Sequence, residues 1–191
     1  MPHLLDLAER LEIADGDSYI LSYPHLLAYF QSKQVFTVSE FTCGAHMVYG
    51  WMPTILELYQ DEPRTDIAAA ADILSTVRQT GSVVDQDLDR LARLMNNSLV
   101  GASKLLHFSA PDSFAIWDSR IYTYLHKKKP HYYQVRDVAN YRNYHDVLVR
   151  HMEDERFDDF HAIVNRKVGY AVSPLRALEL VMFQNSAMTG V

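Results

Sequence analysis

Residues Asn96–Tyr124 read NNSLVGASKLLHFSAPDSFAIWDSRIYTY. Leu99, Leu105, Leu106 and Phe108 surround a single lysine, Lys104, at helical spacing. Pro111 then breaks the run in a short polar turn, and Asp118 follows between the apolar residues Ile116, Trp117 and Ile121. The pattern is a helix, a proline-containing turn and a second helix opened by an aspartate. It places one lysine and one aspartate on either side of the turn.

The same helical patterning extends outward in both directions. Leu4, Leu5, Leu7, Leu11 and Ile13 mark an amphipathic first helix, and Tyr19–Phe30 a second one, which Pro24 must start or kink. Thr37-Val-Ser-Glu40 is a capping box that begins a helix before Phe41. Pro53 is expected to divide that helix from another carrying Ile55, Leu56, Leu58 and Tyr59. Thr65–Gln79 is Ala-rich and stops at Gly81, while Asp85–Met95 sets acids early and arginines late, as a helix dipole favours. Further helices are expected at roughly 98–109, 118–128, 139–154 and 157–168, and a last one from Ser173-Pro174, cap then first-turn proline. No segment alternates like a strand, and no repeat or low-complexity linker interrupts the chain. The expected fold is all-α, one compact multi-helix domain over residues 1–191.

At 191 residues with 48% hydrophobic content, the chain is long and apolar enough for a real core. Its net charge of −6 argues against a protein that coats nucleic acid, but the charge is unevenly spread. Residues 1–99 hold 6 Lys/Arg against 14 Asp/Glu, a net of −8, and residues 151–191 hold 4 against 6, a net of −2. Residues 100–150 hold 8 against 4, a net of +4. Positive charge is thus concentrated where Lys104 lies. The acidic opening does not read as a secretory leader. The longest uncharged run, Phe41–Leu56, is too short and broken to span a bilayer. Cys43 is the only cysteine, so no disulfide forms within the chain, and it reads as a small buried residue. A cytoplasmic protein with no membrane contact is expected.

The stretch from Leu99 to Ile121 resembles the helix-hairpin-helix DNA glycosylases. Members read approximately L-x-G-V-G-x-K-x-A and then V-D-x-[HR]-[VI], and this chain reads Leu99-Val-Gly-Ala-Ser-Lys104 and then Ile116-Trp-Asp118-Ser-Arg-Ile121. The close match covers about 25 residues, within a glycosylase-like element at 96–128. Gly101-Ala102-Ser103 stands where members keep a double-glycine hairpin, and the Lys104–Asp118 interval of 14 residues is several shorter than theirs. The resemblance implies a glycosylase-like helical fold, a role in DNA repair, and cleavage of an N-glycosidic bond with DNA as partner. Lys104 then stands where bifunctional members keep the amine that forms a Schiff base, and Asp118 at their essential carboxylate.

The chemistry suits these residue types. Sugar–base cleavage passes through an oxocarbenium-like state that a carboxylate stabilises while it orients water or an amine. A lysine attacks carbon only when deprotonated, which requires a desolvated pocket or a neighbouring cation. In a monofunctional variant Asp118 activates water and Lys104 binds phosphate. Arg120 pairs with Asp118 or holds a phosphate, and Lys127, Lys128 and Lys129 form the only dense basic cluster, with Tyr132 and Tyr133 beside it for stacking. Each residue also has a purely local reading. Asp118 fits a helix N-cap, Lys104 a solvated helix position, and Lys127–Lys129 a helix C-terminus ended by Pro130.

The nine histidines show no metal-ligand spacing, and the acidic residues Glu153–Asp159 lack the glycine of a calcium loop. No metal or cofactor is expected. The aromatic and Met-rich run Phe41–Leu56 fits either a pocket wall or helix packing around Pro53. Neither a phosphate-binding G-x-x-x-x-G-K loop nor a G-x-S-x-G elbow occurs. The leading expectation is a base-excision glycosylase, with or without lyase activity. The alternative is a non-catalytic helical binding protein that keeps the element for packing. The oligomeric state is left open.

Overall fold

A computed structural model describes residues 4–60 and 66–186. Among the described residues a 3-10 helix at Leu4–Arg10 precedes ten α-helices. These are α1 (Ser18–Gln31), α2 (Val38–Trp51), α3 (Ile67–Thr80), α4 (Asp85–Leu94), α5 (Leu99–Ser109), α6 (Ser119–His126), α7 (Tyr132–Arg136), α8 (Val138–Met152), α9 (Phe157–Val168) and α10 (Pro174–Asn185). Among the described residues there is no strand beyond one isolated bridge, Leu58 to Met95, and no helix is long and apolar enough to cross a membrane.

The helices begin and end where local chemistry directs. Asp17, Asp66, Asp118 and Asp137 each accept backbone N–H groups at an N-terminus, Ser98 and Ser173 do the same, and Thr37 and Glu40 close the capping box. Gly81 and Gly169 stop α3 and α9 in the left-handed region, at φ 65° and 89°. Pro24 lies inside α1 and has no N–H for the carbonyl of Ile20. The Tyr170 hydroxyl donates to that carbonyl instead, at 2.7 Å, so the helix passes through the proline with its acceptor satisfied.

Two expected elements take another form. The 3-10 helix ends at Arg10, so Leu11 and Ile13 lie beyond it. The described residues 54–60 that follow Pro53 form no helix. Residues 55–59 are extended because the turn between α4 and α5 claims their backbone. Asn96 Oδ1 accepts from Glu57 N at 2.8 Å, Asn96 Nδ2 donates to the Ile55 carbonyl at 3.1 Å, and Tyr59 N donates to the Leu94 carbonyl at 2.8 Å. Thr65, the expected start of the third long helix, lies outside the described residues. The short α7 was not expected, and Cys43 is exposed rather than buried.

α4 and α5 form a helical hairpin whose turn is made by Asn96 and Asn97, both left-handed at φ 54° and 52°. Gly101 lies past that turn, inside α5, where a Cβ would stand 2.7 Å from Cζ of Tyr49. Its missing side chain therefore admits an aromatic ring. α5 is buried on nearly every face and packs against α1, α2, α3, α4 and α7. α10 is equally enclosed, by α6, α8, α9 and the 3-10 helix. The buried apolar residues form one continuous core. Lys104 on α5 and the pair Arg176 and Glu179 on α10 are the charged groups these two helices carry inward.

Candidate active site

Between α5 and α10 lies a cavity of about 690 Å³. Lys104 and Asp118 both line it, with Trp51 and Met52 at the end of α2, Arg120 on α6, and Arg176, Glu179 and Phe183 on α10. The expected aspartate and lysine therefore reach one space. The Phe41–Leu56 run divides its tasks, with Phe41, Ala45, Val48 and Tyr49 in the core and Trp51 and Met52 at the cavity.

Asp118 is carried by residues 110–118, a connection that is largely buried yet belongs to no helix or sheet. Its backbone groups must find side-chain partners. Ser113 O accepts from His145 Nε2 at 3.0 Å, Phe114 O from His107 Nδ1 at 2.7 Å, Ala115 O from the Tyr141 hydroxyl at 3.2 Å and Ile116 O from the Tyr144 hydroxyl at 3.1 Å. Trp117 N donates to Ser103 Oγ at 3.1 Å, and the Trp117 indole to the Val135 carbonyl at 2.8 Å. Because Phe114 O can only accept, His107 carries its proton on Nδ1, and Nε2 accepts from the Tyr23 hydroxyl at 2.8 Å. Burial drives the His107 pKa down to about 3, so the ring is neutral.

At the end of this clamped segment Asp118 caps α6. Its Oδ1 accepts from Arg120 N at 2.9 Å and from Ile121 N at 3.0 Å, so the local reading of Asp118 holds. Both bonds fall on one oxygen, and Oδ2 accepts none among the described residues. A half-buried carboxylate fixed in this way has an oxygen left for the cavity.

Lys104 is not a solvated helix residue. It is half-buried in α5, with its ammonium nitrogen 5.6 Å from the centre of the Trp51 ring. That nitrogen makes no hydrogen bond or ion pair among the described residues. No enclosed side-chain nitrogen or oxygen there lacks a partner, so the Lys104 amine opens into the cavity. Burial lowers its pKa below the ordinary lysine value and Arg176 adds to this, against the opposing carboxylates of Asp118 and Glu179. The lowered pKa leaves more of the amine neutral at a given pH than on an exposed lysine.

The remaining expected residues separate into two places. Arg120 is exposed at the cavity, its guanidinium 4.6 Å from the Phe183 ring centre. Lys127 ends α6 in the left-handed region with its ammonium 4.1 Å from the Tyr124 ring centre, and Lys128 and Lys129 are exposed beyond it. None of the three lysines lines the cavity. At about 1.5 Å of rise per residue they lie roughly 12 Å along α6 from Asp118. Tyr132 and Tyr133 are exposed nearby, Tyr133 stacked on His131 at 5.6 Å.

Sequence reasoning missed Arg176 and Glu179. They form a buried ion pair, and the Arg176 guanidinium lies 5.1 Å from the Tyr23 ring centre and 5.7 Å from that of Trp51. Burial pushes the Glu179 carboxyl above its usual range, with Arg176 opposing the shift. The signal was present in Leu175-Arg-Ala-Leu-Glu179. Two opposite charges three residues apart, on a helix otherwise made of apolar residues up to Phe183, must share one face and be buried together. Compared with protein-family models, curated proteins and solved structures, the chain finds no match.

Proposed function

We propose that this protein breaks the N-glycosidic bond between a base and its sugar, as a base-excision glycosylase acting on DNA. The observation that carries this reading is the joint presence of Lys104 and Asp118 at one cavity, the amine unpaired and its pKa lowered. The cavity falls within the roughly 300–1,000 Å³ typical of ligand sites, and its aromatic wall suits a flat heterocycle. A base in a duplex has to leave the stack to reach it.

In this account the Asp118 carboxylate faces the sugar as positive charge develops at C1′. The lone pair of the Lys104 amine forms a bond to C1′ while the C1′–N bond breaks, and the base departs with the bonding electrons and takes up a proton. One amine proton then passes to O4′ as the C1′–O4′ bond opens, and loss of the other leaves an imine on Lys104. If water attacks in place of the amine, Asp118 takes its proton and the products are the free base and an abasic deoxyribose in the strand. Arg120 holds the adjacent phosphate, and Lys127–Lys129 hold phosphates further along the strand.

A second reading, a helical binding protein without catalysis, draws on two observations. Asp118 is already used as a cap, and Glu12 and Asp17 put acidic groups on the cavity wall, which disfavours a polyanion. Base release from labelled duplexes carrying deaminated, oxidised or alkylated bases separates the two. The glycosylase reading expects release that falls at least about 100-fold in Asp118→Asn. It also expects strand cleavage to disappear in Lys104→Gln. Absence of release from every duplex, or release undiminished in Asp118→Asn, supports the binding protein instead.

A further inference from the structure

Arg176 and Glu179 are only 5% and 2% exposed, yet their polar atoms are far from used up. Their ion pair joins Arg176 Nη1 to Glu179 Oε2. Nε and Nη2 of Arg176, and Oε1 of Glu179, make no other hydrogen bond among the described residues. Because no enclosed side-chain nitrogen or oxygen there lacks a partner, these atoms face the cavity that both residues line. The guanidinium plane is held by the rings of Tyr23 and Trp51, so its donors have a fixed direction.

A buried pair kept for packing alone is a poor bargain, since apolar side chains of the same volume stabilise a core as well or better. A guanidinium with five donors and one used is costlier still. The pair is completed by an occupant that supplies two acceptors to the arginine fork and one donor to Glu179 Oε1.

We infer that the Arg176–Glu179 pair forms the base-reading floor of the cavity and takes a 6-oxopurine. This rests on the reading of the cavity as the place a base enters. Read along its edge, a 6-oxopurine offers N7 as acceptor, O6 as acceptor and N1–H as donor. The free atoms of the pair offer donor, donor and acceptor. N7 and O6 accept from Nε and Nη2, the pairing arginine makes most often with guanine, and N1–H donates to Oε1. Adenine presents an amino donor where O6 should be and an acceptor in place of N1–H, so two of three positions oppose the pair. Uracil matches O4 and N3–H but has carbon in place of N7. Cytosine reverses both polar positions. The preference is therefore 6-oxopurine first, uracil second, adenine and cytosine last.

Titration calorimetry of the full chain with inosine, guanosine, 7-deazaguanosine, uridine, adenosine and cytidine tests this. Inosine and guanosine are expected to bind at least about 10-fold more tightly than 7-deazaguanosine or uridine, with adenosine and cytidine weaker again. Glu179→Gln turns its amide oxygen to Arg176 and its N–H₂ to the cavity, and is expected to lose the inosine preference. The double variant Arg176→Met with Glu179→Leu keeps an apolar core and is expected to stay folded by circular dichroism while binding none of the six. Equal binding of inosine and adenosine, or unchanged inosine binding by the double variant, overturns the inference. If the variants do not fold, the wild-type order of affinities alone decides it. Nucleoside binding requires no bond cleavage. A protein that prefers inosine but releases no base keeps this inference and loses the glycosylase reading, and a glycosylase indifferent to the purine edge does the reverse.

Discussion

Ser103 Oγ accepts the N–H of Trp117 at 3.1 Å, and each of these residues is followed in the chain by one of the two site residues, Lys104 and Asp118. This buried hydrogen bond is one of those that hold the turn carrying the carboxylate against its neighbours. It is the one made directly to the helix that carries the amine just before the two site residues. Ser103→Ala leaves a buried N–H without its acceptor, at a cost of about 1–3 kcal/mol. Urea unfolding is expected to show that loss, together with slower base release. A variant as stable and as active as the parent removes Ser103 from the account.

Burial lowers the Lys104 pKa, and among the described residues its ammonium makes no ion pair. Lys104→Met keeps the shape of the side chain and removes the charge. It is expected to raise stability while abolishing covalent trapping. A fall in the thermal midpoint would show that the Trp51 ring and the Asp118 and Glu179 carboxylates outweigh the cost of burying the ammonium.

Burial lowers the Lys104 pKa below the 10.5 of an ordinary lysine, so at any given pH more of its amine is neutral than on a surface lysine. Reductive alkylation of Lys104 followed over pH 6–12, read from its own peptide in a digest, should give an inflection below 10.5. The stability sign agrees. Between the lowered pKa and 10.5 the unfolded chain binds the proton and the folded chain does not, so stability rises with pH across that window. An inflection at or above 10.5 contradicts the burial argument.

His107 gives an acid limb of the opposite practical importance. Its folded pKa is about 3 against an unfolded 6.5, so below pH 6.5 the unfolded chain takes up a proton that the folded chain refuses. Stability is unaffected above pH 6.5 and falls as the pH drops from there toward 3, by about 3 kcal/mol at pH 4. Denaturation curves for the parent and His107→Gln are expected to converge as the pH falls through this window. Parallel curves would assign the acid limb to other groups.

Much of the fold was legible because helix ends are written locally. The Thr37–Glu40 box, Gly81, and Ser173-Pro174 each contain the chemistry that starts or stops a helix, and those boundaries are observed. The segment after Pro53 was misread because its conformation is set by Asn96, some forty positions away, which claims its backbone. Lys104 and Asp118 were legible as residues, but their meeting depended on Tyr141, Tyr144, His107 and Ser103 clamping an irregular buried turn, and no spacing in the sequence announces such a network. Arg176 and Glu179 were overlooked because an i, i+3 pair is commonplace on exposed helices. Only the apolar residues around it mark this one as buried.

The measurement that tests the central claim most directly is borohydride trapping on a duplex carrying an abasic site, followed by peptide mapping of the adduct. The account predicts one covalent adduct, located on Lys104 and absent in Lys104→Gln. An adduct confined to Lys127–Lys129, or none at all, contradicts a nucleophilic amine in the cavity that Lys104 and Asp118 share.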